Sequence, residues 1–195
     1  MNIHELHSIM PIDNIPSVMK HGILSHYLRE KLKIRGYSIA LEDVQLRRMN
    51  KSVPGGMALH RYANLYFDAH NPMLSRVRDR NGEICVLTIS ASVMELPGVV
   101  IADRNASSDY AGFYPYPEGL SKLQFDMIYA TYWTHPDDLI SEWKHKSIKC
   151  AEVLVPERVQ TKFISGAYVC NEEAKKRLQM AGFQGNIKVK RSLFF

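Results

Sequence analysis

Few side chains in this sequence pair a reactive type with an unusual setting, and Glu152 is the sharpest of them. In the run Lys149-Cys150-Ala151-Glu152-Val153-Leu154-Val155-Pro156 an extended chain alternates its side chains between two faces. Cys150, Glu152 and Leu154 then share one face, and Ala151, Val153 and Val155 the other. A lone carboxylate in so apolar a strand sits either at a solvated edge or in a cleft, because unpaired acids are rarely buried. Arg47 and Arg48 lie together in a basic segment. They are either one solvated helix face or a clamp for phosphate, whose oxygens a guanidinium holds two at a time. His7 stands in an apolar N-terminal stretch, as a satisfied core residue or as a ligand. His4 and His7 have helical spacing, but the local run reads as extended and lacks a third ligand, so a metal site is rejected. The tyrosines and prolines of 110–117 could stack on bases or simply pack their own loop.

Other chemistries are excluded. Gly55-Gly56 is too short and misplaced for a phosphate-binding loop or a dinucleotide fingerprint, and no Gly-x-Ser-x-Gly occurs. Cys85, Cys150 and Cys170 are widely spaced, odd in number and set among apolar residues, which indicates buried thiols rather than a zinc knuckle or a disulfide framework.

The elements that must position these groups are short. Leu6–Met10 reads as a strand. Asp13–Gly22 reads as a helix, with Asp13 or Asn14 as cap, Pro16 in the first turn, Gly22 at the end, and Ile15, Val18 and Met19 facing inward. From Ser25 to Pro54 the chain is polar and basic, a long loop with a helix near Leu41–Met49. Strands follow at Asn64–Phe67, Ile84–Ile89 and Gly98–Ala102, with a helical turn at Met94–Pro97. Segment 103–122 reads as a second long loop, Phe125–Trp133 as a helix, and Ile148–Val155 and Phe163–Val169 as strands. Asn171–Ala181 is a helix stopped by Gly182, and Ile187–Lys190 a final edge strand. About six or seven strands and three or four small helices, not regularly alternating, indicate an α+β fold with a loop-lined cleft.

The chain has 195 residues, 46% hydrophobic and 23% charged, enough for one domain with an ordinary core. No apolar stretch approaches the roughly 20 residues that span a bilayer, and the first residues lack a signal-peptide layout, so the expected location is the cytoplasm. A net charge of +5 permits a polyanionic partner without demanding one.

The order of segments carries more than any one of them. His7-Ser8-Ile9 precedes Ile12-Asp13-Asn14-Ile15-Pro16-Ser17. Gln45-Leu46-Arg47-Arg48 is followed by Val53-Pro54-Gly55-Gly56, and Leu65-Tyr66-Phe67 leads to Asn71-Pro72-Met73-Leu74. Leu96-Pro97-Gly98-Val99 comes with Asp103-Arg104-Asn105, then Phe125-Asp126, Tyr132-Trp133 and Ala151–Pro156. In this arrangement the chain resembles the DarT family, DNA ADP-ribosyltransferase toxins of toxin–antitoxin systems.

That resemblance implies a single ADP-ribosyltransferase domain over residues 1–195. Its fold would be α+β, with central, mostly antiparallel β-sheets, small flanking helices and long substrate loops. NAD⁺ would be a substrate, and no metal would be needed. Glu152 matches the family's catalytic glutamate and Arg48 its essential arginine. NAD⁺ contacts are implied at His7, Ser8, Ile9, Ser17, Leu24, Val44 and Arg48, with the segment Ser25–Lys51 covering the dinucleotide. The loop from Asp103 to Glu152 would hold single-stranded DNA, with Tyr110, Phe113, Tyr114 and Tyr116 stacking on bases and Arg76 and Arg78 on the strand's track. The acceptor is a guanine or a thymine, and the His70-Asn71-Pro72-Met73 run leans towards guanine. The implied partners are single-stranded DNA and a macrodomain antitoxin of the DarG type, with no membrane and a monomeric enzyme. Two other readings stand beside this one: a transferase of the same fold acting on RNA or protein, and a non-catalytic nucleic-acid-binding domain.

Overall fold

The computed structural model describes residues 3–37, 39 and 42–195. In chain order the elements begin β1 (Glu5–Pro11), α1 (Ile15–His21), β2 (Ile23–Leu24), α2 (His26–Lys31), α3 (Glu42–Asn50), β3 (Tyr62–Tyr66), α4 (Pro72–Arg76) and β4 (Ile84–Ser90). They continue β5 (Val100–Ala102), β6 (Phe113–Pro115), α5 (Phe125–Ile128), α6 (Leu139–Lys149), β7 (Glu152–Pro156), β8 (Arg158–Val159), β9 (Ile164–Val169), α7 (Glu172–Met180) and β10 (Asn186–Val189). The strands form an eight-stranded sheet in the order β10-β9-β4-β1-β3-β7-β5-β6, and β2 pairs with β8 in a second sheet. Every pairing is antiparallel except β9 with β10, which places the last strand at an edge, as its alternating sequence suggested.

The main core lies on one face of the sheet, where Leu6, Leu65, Phe67, Leu87, Ile89, Val153 and Val155 pack with α1 and α7 residues such as Ile15 and Leu178. The other face carries a mixed row. His7 lies opposite Tyr66, Tyr66 opposite Glu152, and Glu152 opposite Ala102. Cross-strand partners share a face, so this register sets three polar side chains in a line across three strands.

Several sequence expectations change. The Ser25–Pro54 stretch holds a helix, α2, capped by Ser25, whose hydroxyl accepts from the Leu28 N–H at 3.1 Å. Its polar, basic composition hid it, because no apolar stripe marks a helix lying on the surface. The 103–122 segment contains the short strand β6 and a 3₁₀ turn. The helix at Phe125 stops at Ile128 rather than Trp133. Residues 139–149 form α6, and Asp138 caps it by accepting from Ser141 N–H at 3.0 Å, so the strand read from Ile148 begins at Glu152. Asn14 occupies the N-cap position of α1 without capping it; its amide instead donates to and accepts from the Tyr37 backbone, both at 2.8 Å, and holds that segment down. The expected NAD⁺-covering segment includes residues 38, 40 and 41, which lie outside the described residues. No described helix is long and apolar enough to cross a membrane.

One buried ion pair anchors the approach to β7. Lys149, fully buried at the end of α6, donates to Asp68 at 2.6 Å and to the Ile128 carbonyl at 2.7 Å. Breaking such a pair from one side leaves a charge without compensation. Lys149→Ala should therefore lower unfolding stability by about 3 kcal/mol, read by urea denaturation; a loss below about 0.5 kcal/mol, typical of surface substitutions, would show that the pair does not brace this corner.

Candidate active site

Glu152 begins β7 because α6 ends at Lys149 and leaves room for only Cys150 and Ala151 before the sheet. Its side chain is 1% exposed. The bland reading of a solvated edge is thereby excluded: the carboxylate is in a cleft, and it is paired. Arg48, on the last turn of α3 and also buried, donates from one guanidinium nitrogen to both oxygens, at 3.0 and 3.4 Å. The Ala106 N–H donates to one of them at 3.0 Å.

The loop that presents Ala106 is held at several points. Asp103 accepts from Gly112 N–H at 3.0 Å, and Asn105 accepts from the Ser107 N–H and hydroxyl at 2.9 and 2.7 Å. The Asn105 N–H donates to the Ser147 carbonyl of α6 at 2.8 Å. Lys51, just past α3, donates to the Ser108 carbonyl and lies over the Phe113 ring, 5.4 Å from its centroid. Arg48, the 103–111 loop and β7 thus brace one another around a single carboxylate.

Around this group opens a cleft with two adjoining lobes of about 140 and 170 Å³, sharing Leu24, Arg29, Gln45, Asn64, Tyr66 and Met73 in their walls. Glu152, Arg48 and Val44 line the first lobe, and Ser8 and Ile9 the second. Ser17 lines a neighbouring pocket that also borders Leu24 and Arg29. Three atoms of cleft-lining residues, His26 Nδ1, Arg48 Nη2 and His60 Nδ1, are buried and without a hydrogen-bond partner. A wall with two arginines, unspent polar atoms and one carboxylate suits a ligand bearing both anionic and hydroxyl groups.

His7 occupies a different position. It shares the Glu152 face two strands away, roughly 10 Å by strand spacing, and its Nε2 lies 3.3 Å from the Glu5 carboxylate. That histidine, with the Tyr168 hydroxyl, holds the Glu5 carboxyl below its usual range against the opposing effect of burial. Burial pushes the Tyr66 phenol well up, with the Glu152 charge adding to it, so Tyr66 stays neutral near the carboxylate. The Cys150 thiol is pushed up to about 12, first by burial and then by Glu152, and is no nucleophile. The described residues contain no cluster of three or more potential metal ligands.

The residues expected to meet DNA divide between two surfaces. Phe113, Tyr114 and Tyr116 line a groove with Pro54-Gly55-Gly56, which adjoins the cleft through Tyr62, a wall residue of both. Tyr110 is 84% exposed on the loop before them. Arg76 and Arg78 line a separate groove on the other flank. Within the His70-Asn71-Pro72-Met73 run, Asn71 is fully buried and caps α4 by accepting from Met73 and Leu74 N–H at 2.9 and 3.1 Å. The run therefore has a structural explanation independent of any base. Sequence reasoning missed Tyr62, Asn64 and Tyr66 as cleft residues, although their alternation with Ala63, Leu65 and Phe67 marks a polar face. It also missed His26, His60 and Asn105, which no pattern distinguished.

Residues 7–195 match the family model described as "ssDNA thymidine ADP-ribosyltransferase, DarT". A DNA ADP-ribosyl transferase–DNA ADP-ribosyl glycohydrolase fusion protein of Thermosipho africanus is 31% identical over 95% of this chain and 47% of its own length, so the chain spans about half of that relative. A DNA ADP-ribosyl transferase of Thermus sp. is 31% identical over 69% of this chain and 68% of its own. The solved structure of Thermus sp. 2.9 DarT in complex with ADP-ribosylated ssDNA superposes with a TM-score of 0.83 at 25% identity, over 99% of this chain and 97% of that one. The large, mostly antiparallel sheet with small helices is the fold expected from the sequence.

The Arg48–Glu152 pair should show strong coupling. Arg48→Met and Glu152→Leu should each cost about 3 kcal/mol of stability, while the double variant should cost less than their sum by more than about 1 kcal/mol, because two apolar side chains replace a pair rather than orphan a charge. Urea unfolding of the four proteins measures this; additive losses would mean the two groups do not depend on each other.

Proposed function

The chain belongs to the DarT family, and on that premise we propose that it transfers ADP-ribose from NAD⁺ to a base in single-stranded DNA, as the toxin of a toxin–antitoxin pair. The observation that carries this reading is the buried Glu152 carboxylate, fixed by Arg48 and the Ala106 N–H at the floor of a cationic cleft. Residues 1–195 are read as one transferase domain, acting in the cytoplasm where DNA and NAD⁺ meet.

The cleft residues fit the dinucleotide: Arg48 and Arg29 face its diphosphate, and the unspent Arg48 and His60 nitrogens offer donors or acceptors to its oxygens. NAD⁺ supplies the ADP-ribosyl group, with nicotinamide as the leaving group. Glu152 accepts a hydrogen bond from a ribose hydroxyl and opposes the positive charge that grows at the reacting carbon, as carboxylates do in glycoside cleavage. The carboxylate needs no reorientation at that moment, because the sheet and the Ala106 N–H already aim it. Ser8, Ile9, Leu24 and Val44 form the walls that seat the donor, with Ser17 beyond Leu24. His7 acts behind Tyr66 at the end of the polar row. The role of Arg48 is to orient the donor and to stabilise the base nitrogen as its proton passes to solvent. The acceptor is a base nitrogen, so no side-chain nucleophile is required. An unstacked single strand gives access to that nitrogen without the cost of opening a duplex. The matching family's description names thymidine, so thymine is the base to test first, ahead of guanine. A glycohydrolase antitoxin of the DarG type is the partner we propose, on the strength of the fusion relative.

The decisive experiment incubates the protein with labelled NAD⁺ and, separately, single-stranded DNA, duplex DNA, RNA and protein. Label should appear on single-stranded DNA and fall by about 10²–10³-fold in Glu152→Ala. Label on RNA or protein instead would replace the acceptor; an unchanged Glu152→Ala rate would overturn the assigned chemistry.

A further inference from the structure

The reaction proposed above frees one proton from the base nitrogen, and the group that first takes it must reach the lobe around Glu152. Among the described residues that lobe offers few acceptors. The guanidiniums of Arg29 and Arg48 have no lone pair to accept with, and phenols such as those of Tyr62 and Tyr66 are poor acceptors at neutral pH. Glu152 already accepts from Arg48 and from the Ala106 N–H. Two imidazoles remain on the wall, His26 and His60.

His26 is the better placed of the two. It opens α2 directly after Ser25, a buried cap whose N–H donates to the Glu157 carbonyl at 2.7 Å, so the ring rides on a fixed helix start. Its Nδ1 is buried and lies 3.4 Å from the Glu30 carboxylate one turn on, just short of hydrogen-bond geometry. A carboxylate behind one ring nitrogen leaves the other to act and steadies the imidazolium once it forms. Glu30 is largely exposed and joins the ring to solvent. His60 instead meets the edge of Tyr27, with ring centroids 5.6 Å apart at 70°, and has no carboxylate paired to it among the described residues. Burial pushes the His26 imidazole below its ordinary value; Glu30 raises it, and Arg29 and His60 lower it again. Arg61, from the turn packed on α2, is held by Glu157 at 2.8 Å, and across the lobe Arg48 and Glu152 offset each other. His26 is therefore neutral near pH 7, the form in which an imidazole accepts a proton.

We infer that His26 takes the proton of the target base, directly or through one water, with Glu30 as its positioning residue. This assignment rests on the proposed function. The step balances: the N–H bond of the base breaks as its nitrogen bonds to the ribose carbon, and nicotinamide leaves neutral with the electron pair of its own ribose bond. The single proton released goes to His26 and then, past Glu30, to solvent.

The test follows single-turnover labelling of mixed-sequence single-stranded DNA at saturating NAD⁺ across roughly pH 5 to 9. The parent's rate should climb with pH and level off once His26 is neutral. His26→Gln should lose that acid limb and about 10²-fold of the plateau rate, with the KM for NAD⁺ unchanged within about threefold. Glu30→Gln, at an exposed position, should keep the limb but move it to lower pH, because an imidazolium without its carboxylate gives up its proton more easily; a merely structural residue would leave the limb in place. Calorimetric binding of NAD⁺ reports that each variant is folded, and should His26→Gln fail there, the Glu30→Gln shift decides. An acid limb that survives in His26→Gln, a rate within about threefold of the parent's, or a loss confined to KM would each overturn the assignment, as would an unmoved limb in Glu30→Gln. If the parent labels no single strand, the proposed function fails first; if it labels DNA in a Glu152-dependent way and His26→Gln does so equally well, only the role of His26 falls.

Discussion

A carboxylate removed from water is stable only when its surroundings compensate for the lost hydration, and Glu152 sets that condition for the whole molecule. The compensation comes from two directions: Arg48 from α3 and a backbone N–H from the loop after β5. Neither is near Glu152 in the sequence. Each must be delivered by its own element, and each element needs its own brace. Lys149 and Asp68 fix the entry to β7, Lys51 ties α3 to Ser108, and Asn105 joins the loop to α6. The architecture around the cleft follows from keeping one negative charge in place.

The same arrangement explains why the fold divides its labour. One wall of the cleft comes from the sheet, whose register sets Tyr66 and Glu152 side by side with His7 behind them, and the facing wall comes from α2 and α3 with Arg29 and Arg48. On the proposed function, the acceptor would meet loops and the short helix α4, which can change without disturbing that row. Preorganised electrostatics on rigid strands suit bond cleavage; adaptable aromatic and basic loops suit a flexible polymer. Arg48 belongs to both sides, since it holds Glu152 while keeping a nitrogen unspent towards the cleft.

Much of this was legible from residue order. Strand periodicity located β1, β3, β4, β7 and β9 within a few residues, and the oddity of a carboxylate in an apolar run singled out Glu152. Pairing was not legible: nothing local in Arg47-Arg48 says which guanidinium will reach a carboxylate 104 positions away. Helices α2 and α6 were missed because their faces are largely polar and their caps, Ser25 and Asp138, sit in runs that also read as turns. The polar face of β3 was visible in Tyr62-Ala63-Asn64-Leu65-Tyr66-Phe67, but its meaning came only with β7 laid beside it. In the His70-Asn71-Pro72-Met73 run, Asn71 caps α4 and Met73 reaches the cleft wall, a division of roles that residue order alone does not reveal.

The expected DNA-contacting residues also separate once the chain is folded, and the separation has a physical cause. Tyr114 and Tyr116 follow the β5–β6 hairpin to one edge of the sheet, where Tyr116 packs against the main core and Tyr114 lies under Lys122. Rings engaged in that way hold a loop's shape. Among the described residues Tyr37, Tyr110 and Tyr132 are the tyrosines with faces largely open to solvent, and Tyr132 of these lines the groove that holds Arg76 and Arg78. Stacking on a base requires an open face, and holding a phosphate requires an unmatched cation.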